Sequence, residues 1–146
     1  MRSGTEAEWR LRVAREHLDV ARRSLAAGLL LPAADNARKC VENAIKAAIA
    51  CYGPVPRTHD AAASLSALLQ AGAAVPAGLR PDVARLVTLG QRHGLVEHLR
   101  LSYGDEQAGQ TPAALVTPAA AQSSIADADD AVRIAGSLLA AVAPPP

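Results

Sequence analysis

The run PAADNARKCVENAIKAAIACY, from Pro32 to Tyr52, decides the fold. Within it Ala37, Cys40, Ala44, Ala47 and Cys51 recur at 3-4-3-4 spacing, which puts them on one face of an α-helix. Pro32 suits the first turn, where a missing N–H costs nothing, and Gly53-Pro54-Val55-Pro56 stops the helix after Tyr52. The two cysteines are separated by three turns, roughly 16 Å along the axis, so they cannot form a disulfide within this helix. They read as small core residues, and as free thiols they fit a reducing, cytoplasmic setting.

Upstream of this run, Thr5 and Glu8 read as a capping box opening a first helix to about Ala27, with Gly28 at its end. Its stripe is Leu11, Ala14, Leu18, Ala21 and Leu25. The small residues on both stripes allow two helix axes to approach closely, so the first two helices form a hairpin. Thr58 or Asp60 caps a third helix over Ala61–Ala71, with Leu65, Leu68 and Leu69 inward. Pro81 begins a fourth, with Val83, Leu86, Val87 and Leu89 apolar. That helix is expected to continue, kinked near Gly94, to about Ser102, and residues 103–118 to form a long loop. A fifth helix covers roughly Ala119 to Val142 on the stripe Ile125, Ala128, Val132, Ala135 and Leu139. The expected architecture is all-α: a single domain over 1–146, an up-and-down antiparallel bundle of four to five helices, frayed at 1–4 and 143–146.

Composition agrees. Of 146 residues 34 are alanine, none is phenylalanine, one is tryptophan and two are tyrosine. Alanine is the best helix former, and the strand-favouring aromatics are nearly missing, which argues against an all-β fold and against a base-stacking RNA-recognition sheet. The formal net charge of +1 gives no bulk electrostatic pull toward nucleic acid. Residues 1–46 nevertheless carry nine Lys/Arg against six Asp/Glu, whereas Arg133 faces five acids in 101–146. The longest apolar run, Leu29-Leu30-Leu31, is too short for a membrane span, and Met1-Arg2-Ser3-Gly4 enters a charged helix without a signal peptide.

Few positions offer chemistry. There is no Glu-x-x-His pair for a di-metal bundle site, no zinc spacing, no Gly-x-Gly-x-x-Gly and no Walker loop, so no metal or cofactor is expected. The dense cluster is Arg92-His93-Gly94-Leu95-Val96-Glu97-His98-Leu99-Arg100, followed by Tyr103-Gly104-Asp105. Histidine moves protons near neutral pH, and arginine clamps phosphate and steadies its transition-state charge. Together they are equipment for metal-free RNA cleavage by an adjacent 2′-hydroxyl. On an unbroken helix Arg92 and His98 diverge by about 120°. Either the helix is distorted at Gly94, or the aligned trio His93, Glu97 and Arg100 is the working unit, or the cluster is an ion-pair ladder. His59 reads as a cap or loop anchor, His17 as exposed, and Glu42 as a partner of Arg38 or Lys46.

Several of these residues carry a resemblance. Ser24-Leu25-Ala26-Ala27-Gly28, then Cys40-Val41-Glu42-Asn43-Ala44-Ile45-Lys46-Ala47, Thr58-His59-Asp60, Tyr103-Gly104-Asp105 and Asp127-Ala128-Asp129 occur in an order similar to HEPN (higher eukaryotes and prokaryotes nucleotide-binding) domain proteins, over nearly the whole chain. The resemblance implies a helical bundle, commonly a homodimer. In many members it implies a metal-independent endoribonuclease of toxin–antitoxin or defence systems, with an antitoxin partner. Their motif, Arg, four to six residues, then His, is met by Arg92 and His98, with His93 as the polar follower. The resemblance makes Arg92, His98 and His93 the catalytic candidates. Arg100, Tyr103 and Glu97 are the substrate-binding candidates, and two motif copies face each other across the dimer. A second branch resembles Arg100-Leu101-Ser102-Tyr103-Gly104-Asp105 instead. It implies a non-catalytic module that binds a nucleotide or partners a minimal nucleotidyltransferase.

Overall fold

The structure, a computed structural model, describes residues 3–142. α1 (Ser3–Ala26) and α2 (Leu30–Ala50) form the hairpin that their stripes predict. The turn closes at Gly28, whose φ of +75° is a conformation other residues adopt at a cost, and the Leu29 N–H reaches the Ser24 carbonyl at 2.8 Å. α1 starts two residues before Thr5, so Thr5 lies inside its first turn rather than at its cap.

α2 is the axis of the bundle. α1 and α7 (Pro118–Ala141) pack on it and on each other, and α3 (Ala61–Gln70) and α4 (Arg80–Arg92) pack together against it. Leu11, Ala14, Leu18 and Ala21 of α1 are buried, with Ala37, Cys40, Ala44 and Ala47 of α2 facing the same core. Cys51, by contrast, is only half-buried. Burial pushes the Cys40 thiol up to about 12 and the Cys51 thiol to about 11, so both stay protonated. On α7 the buried set is Ala121, Ala128, Ala131, Ile134, Ala135 and Leu138, while Ile125, Val132 and Leu139 are only partly covered. The buried sector is turned from the expected stripe because α7 packs on α1, α2 and α4 at once.

Other boundaries also differ from expectation. Asp60 stands at the start of α3, but neither its side chain nor that of Thr58 caps the helix; Thr58 Oγ1 accepts from the Asp60 N–H at 2.9 Å in a local turn. His17 is half-buried and bonds Asn36 at 2.9 Å, tying α1 to α2. The expected long loop holds a short α6 (Pro112–Leu115) and a one-pair bridge between Asp105 and Gln110, and its Val116 joins Ala33, Ala34, Leu101 and Ala121 in a second small core.

Two details of α4 place the Arg/His cluster. At Gly90 a Cβ would collide with the Ile45 side chain and sit 2.9 Å from Ala62 Cβ, so glycine lets α4 press against α2 and α3. The helix expected to run on to Ser102 instead ends at Arg92, turns through His93 and Gly94, and restarts as α5 (Leu95–Tyr103). Among the described residues no helix is long and apolar enough to cross a membrane.

Candidate active site

The break at His93–Gly94 sends the two halves of the Arg/His cluster to different neighbours. His93 is buried, and its Nε2–H donates to Asp127 Oδ2 of α7 at 2.9 Å. Arg92 remains largely exposed and reaches the same carboxylate only at 3.4–3.5 Å. Asp127 therefore fixes His93, which locks the end of α4, while Arg92 keeps most of its guanidinium in solvent. Sequence spacing could not find Asp127, since it arrives from another helix.

His98, on the far side of the break, turns toward α2. Its ring stacks on that of His59, with centroids 4.2 Å apart and planes inclined by 17°. His59 in turn donates from Nδ1 to Glu42 Oε2 at 3.1 Å, so it anchors its loop and does not cap α3. Glu42 also accepts from Arg38 at 3.0 Å and Lys46 at 2.8 Å. Arg38 is buried and makes a second, longer contact to Asp35 at 3.4 Å, which also holds Lys39 at 2.9 Å. Burial alone would raise the Glu42 carboxyl, but the hydrogen bonds from Lys46 and His59 outweigh it and hold Glu42 below the usual carboxylate range. This network on α2 is the support beneath the two rings.

The His98 imidazole is pushed below its ordinary value by burial first, then by the positive neighbours Arg38 and His59; Glu42 and Asp35 pull the other way. Its Nδ1 is buried with no hydrogen-bond partner. Loss of solvent around the ring disfavours its charged form, so His98 is held neutral near neutral pH. No hydrogen bond among the described residues uses Nε2 of His59 or of His98, which leaves those nitrogens for a ligand.

The expected trio His93, Glu97 and Arg100 does not form. Glu97 and Arg100 pair with each other at 2.7 Å, and His93 leaves for Asp127. The break rotates α5 relative to α4, and that rotation separates them. Tyr103 is exposed, as are Leu95, Val96 and Leu99 on the same short helix. Among the described residues Arg92 and His98 share no partner: the first belongs to the Asp127 group, the second to the Glu42 group. Among the described residues no cluster of three His, Cys, Asp or Glu side chains is arranged to hold a metal ion. An apolar depression of about 480 Å³ between Ile49, Pro54, Pro56 and Leu68 has no titratable group in its lining.

Comparison with known proteins gives one match. The family model of the HEPN domain covers residues 7–143. No curated protein and no solved structure matches the chain.

Proposed function

The chain belongs to the HEPN domain family, one of ribonuclease and nucleotide-binding modules, and from that membership we propose that it is a metal-independent endoribonuclease of the toxin or defence type. The observation that carries the reading is His98: an imidazole held neutral, braced by a stacked ring and a charged network, on the same α4–α5 segment as the exposed guanidinium of Arg92. In this reading Arg92 grips the scissile phosphate and His98 takes or gives the proton. His93 supports them by pinning the segment to Asp127, and Arg100, Tyr103 and Glu97 border the RNA path.

Arg92 and His98 diverge within one protomer, and a second copy supplies the missing neighbour. The exposed Leu95, Val96, Leu99 and Tyr103 on α5 support a homodimer formed on this face, with two motif copies opposed. Incubating the protein with labelled RNA in EDTA tests the reading. Cleavage by the wild type that is lost in Arg92→Ala and His98→Ala is the expected result, and cleavage unchanged by both removes these residues from the chemistry.

One observation favours a second reading. Arg92 and His93 both engage Asp127 inside the protomer, an arrangement that also suits a non-catalytic module that binds a nucleotide or uses the α5 face for a nucleotidyltransferase partner. Tight nucleotide or partner binding without RNA cleavage would mark that case.

A further inference from the structure

Strand cleavage by a 2′-hydroxyl needs two proton transfers, and a single histidine accounts for one of them. The 2′-oxygen forms a bond to phosphorus while losing its proton, and the 5′-oxygen leaves phosphorus while gaining one. The two groups that serve these oxygens must lie a few ångströms apart and start in opposite protonation states. The stacked pair offers such a second group. His59 comes from the loop before α3, and its Nδ1 is committed to Glu42, as a carboxylate commits the imidazole of a hydrolase triad. Its side chain is half-exposed, and its Nε2 is uncommitted.

We propose, resting on the ribonuclease reading above, that His59 is the second proton-transfer residue of the site. His98, in the tautomer with its hydrogen on Nδ1, accepts the 2′-hydroxyl proton at Nε2, and His59 donates a proton from Nε2 to the departing 5′-oxygen. The products are a 2′,3′-cyclic phosphate and a 5′-hydroxyl, and the two rings finish with their protonation states exchanged. Glu42 acts through His59, orienting the ring and offsetting its positive charge, so it is a positioning residue. Arg38 and Lys46 hold that carboxylate, Asp35 holds Arg38 in turn, and these charges act on the His98 ring. The separation of roles comes from the surroundings: His98 is kept neutral, which suits the base, and the acid falls to its stacked neighbour.

The test is the pH profile of RNA cleavage in EDTA for wild type, His59→Gln and His59→Ala, with histidine NMR titration of the same proteins. A bell-shaped wild-type profile is expected, as for one base paired with one acid, with His98 setting the acid limb. Both variants should lose the alkaline limb and drop in rate by about 10²–10⁴-fold while remaining folded. In His59→Gln the His98 ring should titrate at higher pH than in wild type, because a cationic neighbour is gone. A wild type that cuts RNA alongside a His59→Gln protein retaining both limbs overturns the role of His59 alone. So does a His98 titration indifferent to the substitution. A wild type that cuts no RNA at any pH overturns the ribonuclease reading, and this role with it.

Discussion

The imidazoles of His59 and His98 stack at 4.2 Å, and through the His59–Glu42 hydrogen bond the stack ties the loop before α3 and the α5 helix to the buried centre of α2. Two residues far apart in the chain thus rest on one carboxylate. That carboxylate also neutralises the buried Arg38. Glu42→Ala would strand a buried guanidinium with only the longer Asp35 contact, and breaking a buried pair in this way costs about 3–5 kcal/mol. Urea unfolding at neutral pH measures it, and a loss comparable to that of an ordinary surface substitution would show that the network carries little load.

Gly90 fixes the approach of α4 to α2 and α3, two residues before Arg92. In Gly90→Ala the Ile45 side chain must move, and overpacking of this kind costs about 1–3 kcal/mol, which should outweigh the helix propensity gained from alanine. Denaturant midpoints of the two proteins decide it. Stabilisation would mean that the helices do not meet this closely.

The proton affinity of His98, lowered by folding, couples stability to pH. Between its depressed folded value and the ordinary value near 6.5 the unfolded chain binds more protons, so stability rises with pH. The His98 contribution is complete above about pH 6.5 and is lost as pH falls through the folded value. Glu42 acts in the same direction at lower pH: its folded value is depressed, so its contribution is present above the ordinary carboxylate range and lost below. Thermal unfolding of wild type and His98→Gln across this range should show a smaller acid-side loss in the variant. Parallel curves would contradict the linkage.

Asp127 and Arg92 should separate stability from chemistry. Asp127→Ala leaves the buried His93 without its partner and should cost about 1–3 kcal/mol. Arg92 is exposed and only loosely paired, so Arg92→Ala should change stability by no more than about 0.5 kcal/mol. On the ribonuclease reading the same change should lower cleavage about 10²–10³-fold, the scale seen when a transition-state charge contact is removed. Denaturation and cleavage measured on both variants check the contrast, and equal loss of stability in the two would deny it.

The helical scaffold was legible because its helices follow a simple period. The small-residue stripes of α1 and α2 repeat every 3.6 residues, and the core they predict is the core observed, except that Leu25 and Cys51 at their ends are only partly covered. The α7 stripe was displaced because its burial depends on three neighbours, α1, α2 and α4, that periodicity along one helix does not contain. Gly94 signalled a distortion but not its direction, which is set by Asp127 on one side and His59 on the other. Glu42 was legible as a partner of Arg38 or Lys46, since i,i+4 pairs lie within one helix, and it pairs with both. Its bond to His59 crosses from a loop, and no local spacing encodes that contact.

The ribonuclease reading meets its most direct test in the ends of the product. A defined RNA oligonucleotide incubated with wild-type protein in EDTA should yield fragments bearing 2′,3′-cyclic phosphate and 5′-hydroxyl ends by mass spectrometry, and His98→Ala should yield none. Intact RNA with wild type, or the same ends from His98→Ala, would contradict the assignment of proton transfer to His98.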